Sequence, residues 1–211
     1  MVLSMGLLHL LINDPFAFIL LAVPLLYSVI FHELAHGWAA YRMGDSTAKL
    51  LGRLSLNPLK HLDPIGTFML FIFGFGWAKP VPVNFNNLRD RRKGLIFVSS
   101  AGVIANIILA FLALFLYRLL SLSPSGTFST LLYFLAQINI ILASFNLIPI
   151  PPLDGSKILM GFTSERFQYY LLRLEPFGLI IIIGLLYFGA LDPVIAFFRW
   201  IILSVISILL P

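Results

Sequence analysis

The chain has 211 residues, of which 60% are apolar and only 11% are charged, whereas a soluble globular domain carries about a quarter of charged residues. This composition excludes a disordered chain and a water-soluble enzyme, and the lack of cysteine excludes a disulfide scaffold. We therefore predict an integral membrane protein. Each helix that crosses the membrane needs about 20 apolar residues, so a chain of this length can contain several such helices.

The first two apolar stretches differ in length. Residues 1–12 are too short to cross a bilayer and are expected to form an interfacial or partly inserted helix. They contain no Lys or Arg and no small-residue cleavage site, so they do not fit a signal peptide. Residues 15–43 form the first predicted spanning helix, with Asp14 as its N-cap and Pro15 in its first turn.

Residues 44–93 are predicted to form a loop region on the cytoplasmic side. Their first part alternates short apolar and polar stretches around Gly52 and Pro58, which favours short strands or an irregular loop. The next apolar run, in IGTFMLFIFGFGWAKPVPVNFNN, is only about a dozen residues long, too short for an ordinary span. We expect it to be extended and partly re-entrant, which is tolerated where backbone lines a cavity or packs on protein.

Two further spanning helices are predicted at residues 95–117 and 128–148, joined by the polar turn 120–127. The charged residues within 156–175 indicate an amphipathic surface element.

The C-terminal part, residues 177–211, is predicted to hold membrane helices. Its apolar runs 177–190 and 193–210 form either two short spans or one span plus an interfacial helix. The predicted fold is thus a single all-α polytopic membrane domain covering residues 1–211, with a three-helix core and four to six membrane segments in total.

The basic residues predict the orientation of the chain. Nine of the fourteen lie within residues 42–93, and three more follow the third predicted span. Because Lys and Arg collect in cytoplasmic loops, both regions are expected to be cytoplasmic and the 120–127 turn external. The net charge of +5 therefore needs no nucleic-acid partner, and no basic face interleaved with aromatic residues is present.

The first predicted span contains the sequence His32-Glu33-Leu34-Ala35-His36. Histidines at i and i+4 share one helical face, so both rings can bind one metal ion. Glu33 is rotated by about 100° on the helix and can reach a water beside the metal as a general base. Three polar groups deep in a membrane helix are costly, and a shared divalent cation explains all three.

A catalytic zinc ion usually takes three protein ligands, so a third must come from another segment. Asp154 is the candidate, because it follows the helix end NLIPIPPLDG, in which three prolines and a glycine open the backbone and indicate a cavity. The alternative is that Asp154 only caps the helix that follows.

These motifs together resemble the site-2 protease family of intramembrane zinc metalloproteases, peptidase family M50. The resemblance also includes GDSTAK, NPLKHLDPIGT, GWAKPVPVN and SSAGVIAN, so it covers most of the chain. It implies that His32, His36 and Asp154 hold zinc, that Glu33 is base and proton carrier, and that Asn146 orients substrate or stabilises the oxyanion. Neither a PDZ nor a CBS domain fits in this length, so the chain resembles a compact member. Val103 stands where the family often has proline.

Other polar residues have less definite predicted roles. Asn57, His61 and Asp63 are candidates for substrate contact or for support of the site, with His61 also a possible competing metal ligand. Asn106 in the second span is expected to make an interhelical hydrogen bond.

The sequence thus predicts regulated intramembrane proteolysis of transmembrane protein or peptide substrates, in a bacterial plasma membrane and with the active site toward the cytoplasm. The rival interpretation is a membrane metal-binding or transport protein without hydrolytic activity. The glutamate placed as a base favours the protease.

Overall fold

The computed structural model describes residues 7–74, 76–124 and 126–210, and the regular secondary structure in these ranges is helical. Ten α-helices occur in the described ranges: α1 Leu7–Asn13, α2 Pro15–Arg42, α3 Thr47–Leu50, α4 Pro64–Phe73, α5 Arg91–Leu119, α6 Thr127–Asn146, α7 Asp154–Phe162, α8 Glu165–Leu174, α9 Gly178–Tyr187 and α10 Asp192–Leu209. Three short 3-10 turns lie between them, at Pro58–Lys60, Phe85–Asn87 and Glu175–Phe177.

Within the described residues, five helical segments are long and apolar enough to cross a membrane: α2, α5, α6, the continuous stretch Glu165–Tyr187, and α10. This confirms the predicted all-α polytopic fold and its four to six membrane segments. The residues of the amphipathic surface element expected within 156–175 form α7 and α8, but α8 also belongs to the stretch of spanning length Glu165–Tyr187, which begins earlier than the predicted apolar run 177–190. Because α8 continues through a 3-10 turn into α9, the C-terminal part contains two segments of spanning length rather than one.

The helix ends follow from local capping signals. Asp14 accepts a hydrogen bond from the Ala17 amide at 2.9 Å, and Pro15 starts α2, as predicted. Helix α5 begins four residues earlier than predicted, because Asp90 caps it through the Lys93 amide at 3.0 Å. The basic residues just before the predicted span therefore form the first turn of this helix.

The core lies where α5 packs against α2, α6 and α7. Small residues allow α5 and α6 to approach closely, since Ala110, Ala136 and Ala143 are completely buried. Helix α10 packs on α5 and α6 through Ile202 and Ile206. The predicted three-helix core is therefore the centre of the molecule.

The region between α2 and α5 differs in part from the expectation. The structure forms no short strands in the described part of this region; one isolated bridge pairs Leu62 with Ala78, and the rest is short helices and irregular backbone.

The apolar run after Asp63 was expected to be extended, but Pro64–Phe73 is a helix. Asp63 caps this helix through the Gly66 amide at 2.8 Å, and Gly74 ends it in the left-handed conformation with φ of 74°. The ten residues of α4 reach about 15 Å, which is too short to cross, as predicted.

Candidate metal centre

Helix α2 brings two histidine rings together in the interior of the helix bundle. The Nε2 atoms of His32 and His36 lie 3.0 Å apart, and both side chains are about nine-tenths buried. This is the arrangement that the i, i+4 spacing predicts. Both rings present the same nitrogen to the same point.

Asp154 reaches this point from the first residue of α7. Its Oδ2 atom lies 3.1 Å from the Nε2 of His32 and 3.1 Å from the Nε2 of His36. The close approach of α7 to the end of α6 depends on Gly155, since a Cβ there would lie 2.6 Å from the Ile148 carbonyl oxygen and nearer still to that of Leu147. The proline-rich turn and the glycine thus place the carboxylate at the histidines.

The three converging atoms are all lone-pair donors. His36 donates its Nδ1 hydrogen to the Val98 carbonyl at 2.7 Å, because a backbone carbonyl only accepts, so its Nε2 carries a lone pair in the neutral ring. An ionised carboxylate also only accepts, so Oδ2 of Asp154 presents a lone pair to the same point.

This donor set fits a metal ion. The Asp154 Oδ2 atom is buried and has no hydrogen-bond partner in the described part of the chain, and buried polar atoms of this kind call for an explanation. Two imidazole nitrogens and one carboxylate oxygen are ligands that zinc accepts, with a fourth position left for water or substrate. His32, His36 and Asp154 could hold one such ion.

Gly102 of α5 lies directly against the two histidine rings. A Cβ at this position would lie 2.6 Å from His32 Cε1 and 2.7 Å from His32 Nε2, and closer still to His36 Nε2. Only glycine leaves room for both histidines here. The sequence SSAGVIAN carries no signal for this role of Gly102, because it depends on how α5 packs on α2.

Glu33 is half-buried beside the histidines, on the neighbouring face of α2. Its Oε2 accepts a hydrogen bond from the Val81 amide at 2.7 Å. Val81 belongs to the irregular stretch 76–84, which therefore fixes one oxygen of the carboxylate and leaves the other available.

Comparison with known proteins agrees with these observations. The sequence model of peptidase family M50 matches residues 20–124 and 120–185. The chain belongs to peptidase family M50. Since this is a family of peptidases, the M50 chain is a hydrolase.

Among its relatives is YwhC of Bacillus subtilis, which is 42% identical over 172 residues, covering 78% of this chain and 78% of YwhC. Rip2 of Mycolicibacterium smegmatis is 33% identical, covering 83% of this chain and 69% of Rip2. The names of both describe them as candidate zinc metalloproteases. The zinc metalloprotease MJ0392 of Methanocaldococcus jannaschii is 27% identical, covering 74% of this chain and 38% of its own length. No solved structure gives a significant match.

Asn146, near the end of α6, is half-buried, and its Nδ2 donates to the Leu142 carbonyl of the same helix at 3.0 Å. The structure thus pairs its amide within the helix, and its expected contact with substrate stays a prediction. One of its two amide hydrogens is still available for that contact.

The remaining candidates lie at helix ends or in the loop region. Asn57 caps a 3-10 turn through the Leu59 amide at 3.0 Å, and Asp63 caps α4. His61 is buried and its Nε2 donates to the Ser55 carbonyl at 2.7 Å; it is not part of the group that could bind metal.

Asn106 makes the interhelical hydrogen bonds expected of it, and it also contacts His32. Its partners Asn139 and Ser28 were not singled out in the sequence. A signal existed for Ser28, which precedes His32 by four residues and so shares its helical face.

Proposed function

We propose that this M50 chain is an intramembrane zinc metalloendopeptidase that cleaves peptide bonds within or near transmembrane segments of membrane-protein substrates. The observation that carries the proposal is the convergence of His32, His36 and Asp154 within 3.1 Å of one another. Two of these residues lie on a helix long enough to cross a membrane. The names of YwhC, Rip2 and MJ0392 support zinc as the metal.

His32, His36 and Asp154 would hold the ion, which when bound polarises the scissile carbonyl and lowers the pKa of water toward about 7. Glu33 takes the proton from the attacking water and delivers it to the leaving amine. The Val81 amide holds one oxygen of Glu33, so the other oxygen carries this proton. The free amide hydrogen of Asn146 would orient the substrate or stabilise the developing oxyanion.

The substrate helix must unwind before its peptide groups are accessible, because its amides and carbonyls are otherwise hydrogen-bonded within the helix. Residues 80–84 are our proposed edge for pairing with the unwound strand. Few donors on this edge are available, since Pro80 and Pro82 have no N–H group and the Val81 and Asn84 amides bond Glu33 and Asp45. Pairing would therefore use the carbonyl groups and the Val83 amide.

The orientation of the site is part of the proposal. The basic loop region between α2 and α5 supports placing the metal centre toward the cytoplasm. A bacterial plasma membrane is the proposed location, supported by the bacterial relatives YwhC and Rip2.

The test compares the purified wild-type chain with Glu33→Gln. Both are reconstituted in liposomes with a single-span test protein whose apolar helix is interrupted by Gly-Pro, and zinc content and cleavage are measured. We expect both forms to contain one zinc ion per chain and only the wild type to cleave. A wild type that binds zinc but never cleaves, or a Glu33→Gln form that cleaves equally well, would contradict the proposal and favour a metal carrier.

A further inference from the structure

A chain of buried amides leads from the candidate metal centre to the third helix of the core. Asn106 on α5 accepts from His32 Nδ1 at 2.6 Å, and its Nδ2 donates to Asn139 Oδ1 at 2.7 Å. Asn139 on α6 in turn donates to the Leu135 carbonyl and to Ser28 Oγ, each at 2.7 Å. Asn106, Asn139 and Ser28 are all 0% exposed, so bulk water cannot substitute for any of these partners.

The Leu135 carbonyl, at the end of this chain away from the metal centre, determines the direction of these hydrogen bonds. The Leu135 carbonyl can only accept, so the NH₂ group of Asn139 faces it and the Oδ1 atom of Asn139 faces Asn106. Asn106 must then present its own NH₂ group to Asn139, and the Ser28 carbonyl at 3.4 Å favours the same orientation. The remaining atom of Asn106, its Oδ1 oxygen, faces His32 Nδ1 and requires a hydrogen there.

The consequence for His32 is a single tautomer. With the hydrogen on Nδ1, the Nε2 atom has a free lone pair directed at Asp154 and His36. If the Asn106 amide turned over, its NH₂ group would face Nδ1, the ring would carry its hydrogen on Nε2, and it could not bind a metal. The tautomer of His36 does not depend on a side-chain amide, because its Nδ1 bonds the Val98 carbonyl, which only accepts.

We infer that Asn106 and Asn139 are positioning residues that hold His32 in its metal-binding tautomer. The Leu135 carbonyl orients the amide of Asn139, and Asn139 orients the amide of Asn106. The inference rests on the proposed function, since it assumes that the three-residue group binds zinc. This positioning role differs from simply holding the helices together, because either orientation of the amides could link the helices by hydrogen bonds.

The first test measures zinc affinity, by competition with a chromophoric chelator, for the full-length wild type, Asn106→Leu and Asn106→Asp. Removing a hydrogen-bond partner of a metal-binding histidine typically costs 10–100-fold in metal affinity, and we expect a loss in this range for Asn106→Leu. Asn106→Asp retains an acceptor opposite Nδ1 but has no NH₂ group for Asn139 Oδ1, so we expect it to bind zinc more tightly than Asn106→Leu and less tightly than the wild type. Wild-type affinity in Asn106→Leu would overturn the inference.

The second test uses the far end of the amide chain. Asn139→Leu leaves Asn106 in place but frees its amide to turn, so we expect a smaller loss of zinc affinity than in Asn106→Leu. The matched control is Ser144→Ala on the same helix, which removes an equally buried hydroxyl that donates to the Ile140 carbonyl at 2.7 Å. We expect the control to bind zinc as the wild type does, and an equal loss in both variants would overturn the inference.

A spectroscopic measurement separates positioning from general destabilisation. The visible absorption of the Co²⁺-loaded protein depends on the number and geometry of its ligands. We expect an altered Co²⁺ spectrum in Asn106→Leu and the wild-type spectrum in Ser144→Ala. An unchanged spectrum in Asn106→Leu would overturn the inference even if that variant were less stable. Failure of the proposed function looks different, since the wild type itself would then bind no zinc or cleave no substrate.

Discussion

Replacing Gly102 with alanine should weaken zinc binding strongly without unfolding the protein. The added Cβ would lie 2.7 Å from His32 Nε2, whereas a normal contact of this kind is about 3.5 Å. The ring would have to retreat by about 0.8 Å, several times the ±0.2 Å tolerance of metal–ligand distances. His36 meets the same Cβ, so both ligands would move.

We expect the zinc affinity of Gly102→Ala to fall by about 100-fold or more, because both ligands move, whereas losing one partner that supports a ligand already costs 10–100-fold. Alanine favours a helix over glycine by about 1 kcal/mol, so the backbone of α5 gains rather than loses intrinsic helix stability. Chelator competition and thermal unfolding in detergent measure the two effects separately. Gly184→Ala is the control, since nothing lies within 4 Å of the added Cβ. Wild-type zinc affinity in Gly102→Ala would refute the packing argument.

Two other predictions concern the loop region between α2 and α5. Val81→Pro removes the amide that bonds Glu33 and should slow cleavage about tenfold or more with unchanged zinc content, because a hydrogen bond to a charged group contributes about 1.5–3 kcal/mol. Val81→Ala changes the same side chain but keeps the amide that bonds Glu33, and an equal loss in both variants would contradict this reasoning. Burial raises the pKa of Asp45, but hydrogen bonds from the Thr47 and Asn87 side chains and the Asn84 amide bring it below its usual value. A depressed folded-state pKa stabilises the protein above about pH 4, and this stability is lost as pH falls further. Asp45→Asn should therefore lower the unfolding temperature at pH 7, with a difference from wild type that narrows below pH 4; a constant difference would count against it.

The sequence predicted those parts of the fold that depend on local signals. The start of α2 follows from Asp14 and Pro15, and the three-helix core follows from apolar runs long enough to span a bilayer. The helix α4 was missed although Asp63, Pro64 and Gly74 are ordinary start and stop signals, because the glycines and prolines beyond it outweighed them in our interpretation.

The candidate site, like the fold, was predicted from the sequence only where local signals determine it. His32 and His36 follow from spacing on one helix, whereas Asp154 was proposed from its proline-rich context and a family resemblance. The contacts of Glu33 with Val81 and of Asn106 with Asn139 join segments far apart in sequence. Periodicity and capping carry no information on such pairs, because they depend on how the helices pack.

The central claim is that one zinc ion is held by two histidines of α2 and the aspartate of α7. The most direct test is zinc X-ray absorption spectroscopy on the purified wild-type chain, together with its zinc content. The account predicts one zinc per chain, four-coordinate, with two imidazole ligands and oxygen ligands at about 2.0–2.2 Å. A zinc content well below one per chain, or a spectrum with one imidazole or none, would contradict it.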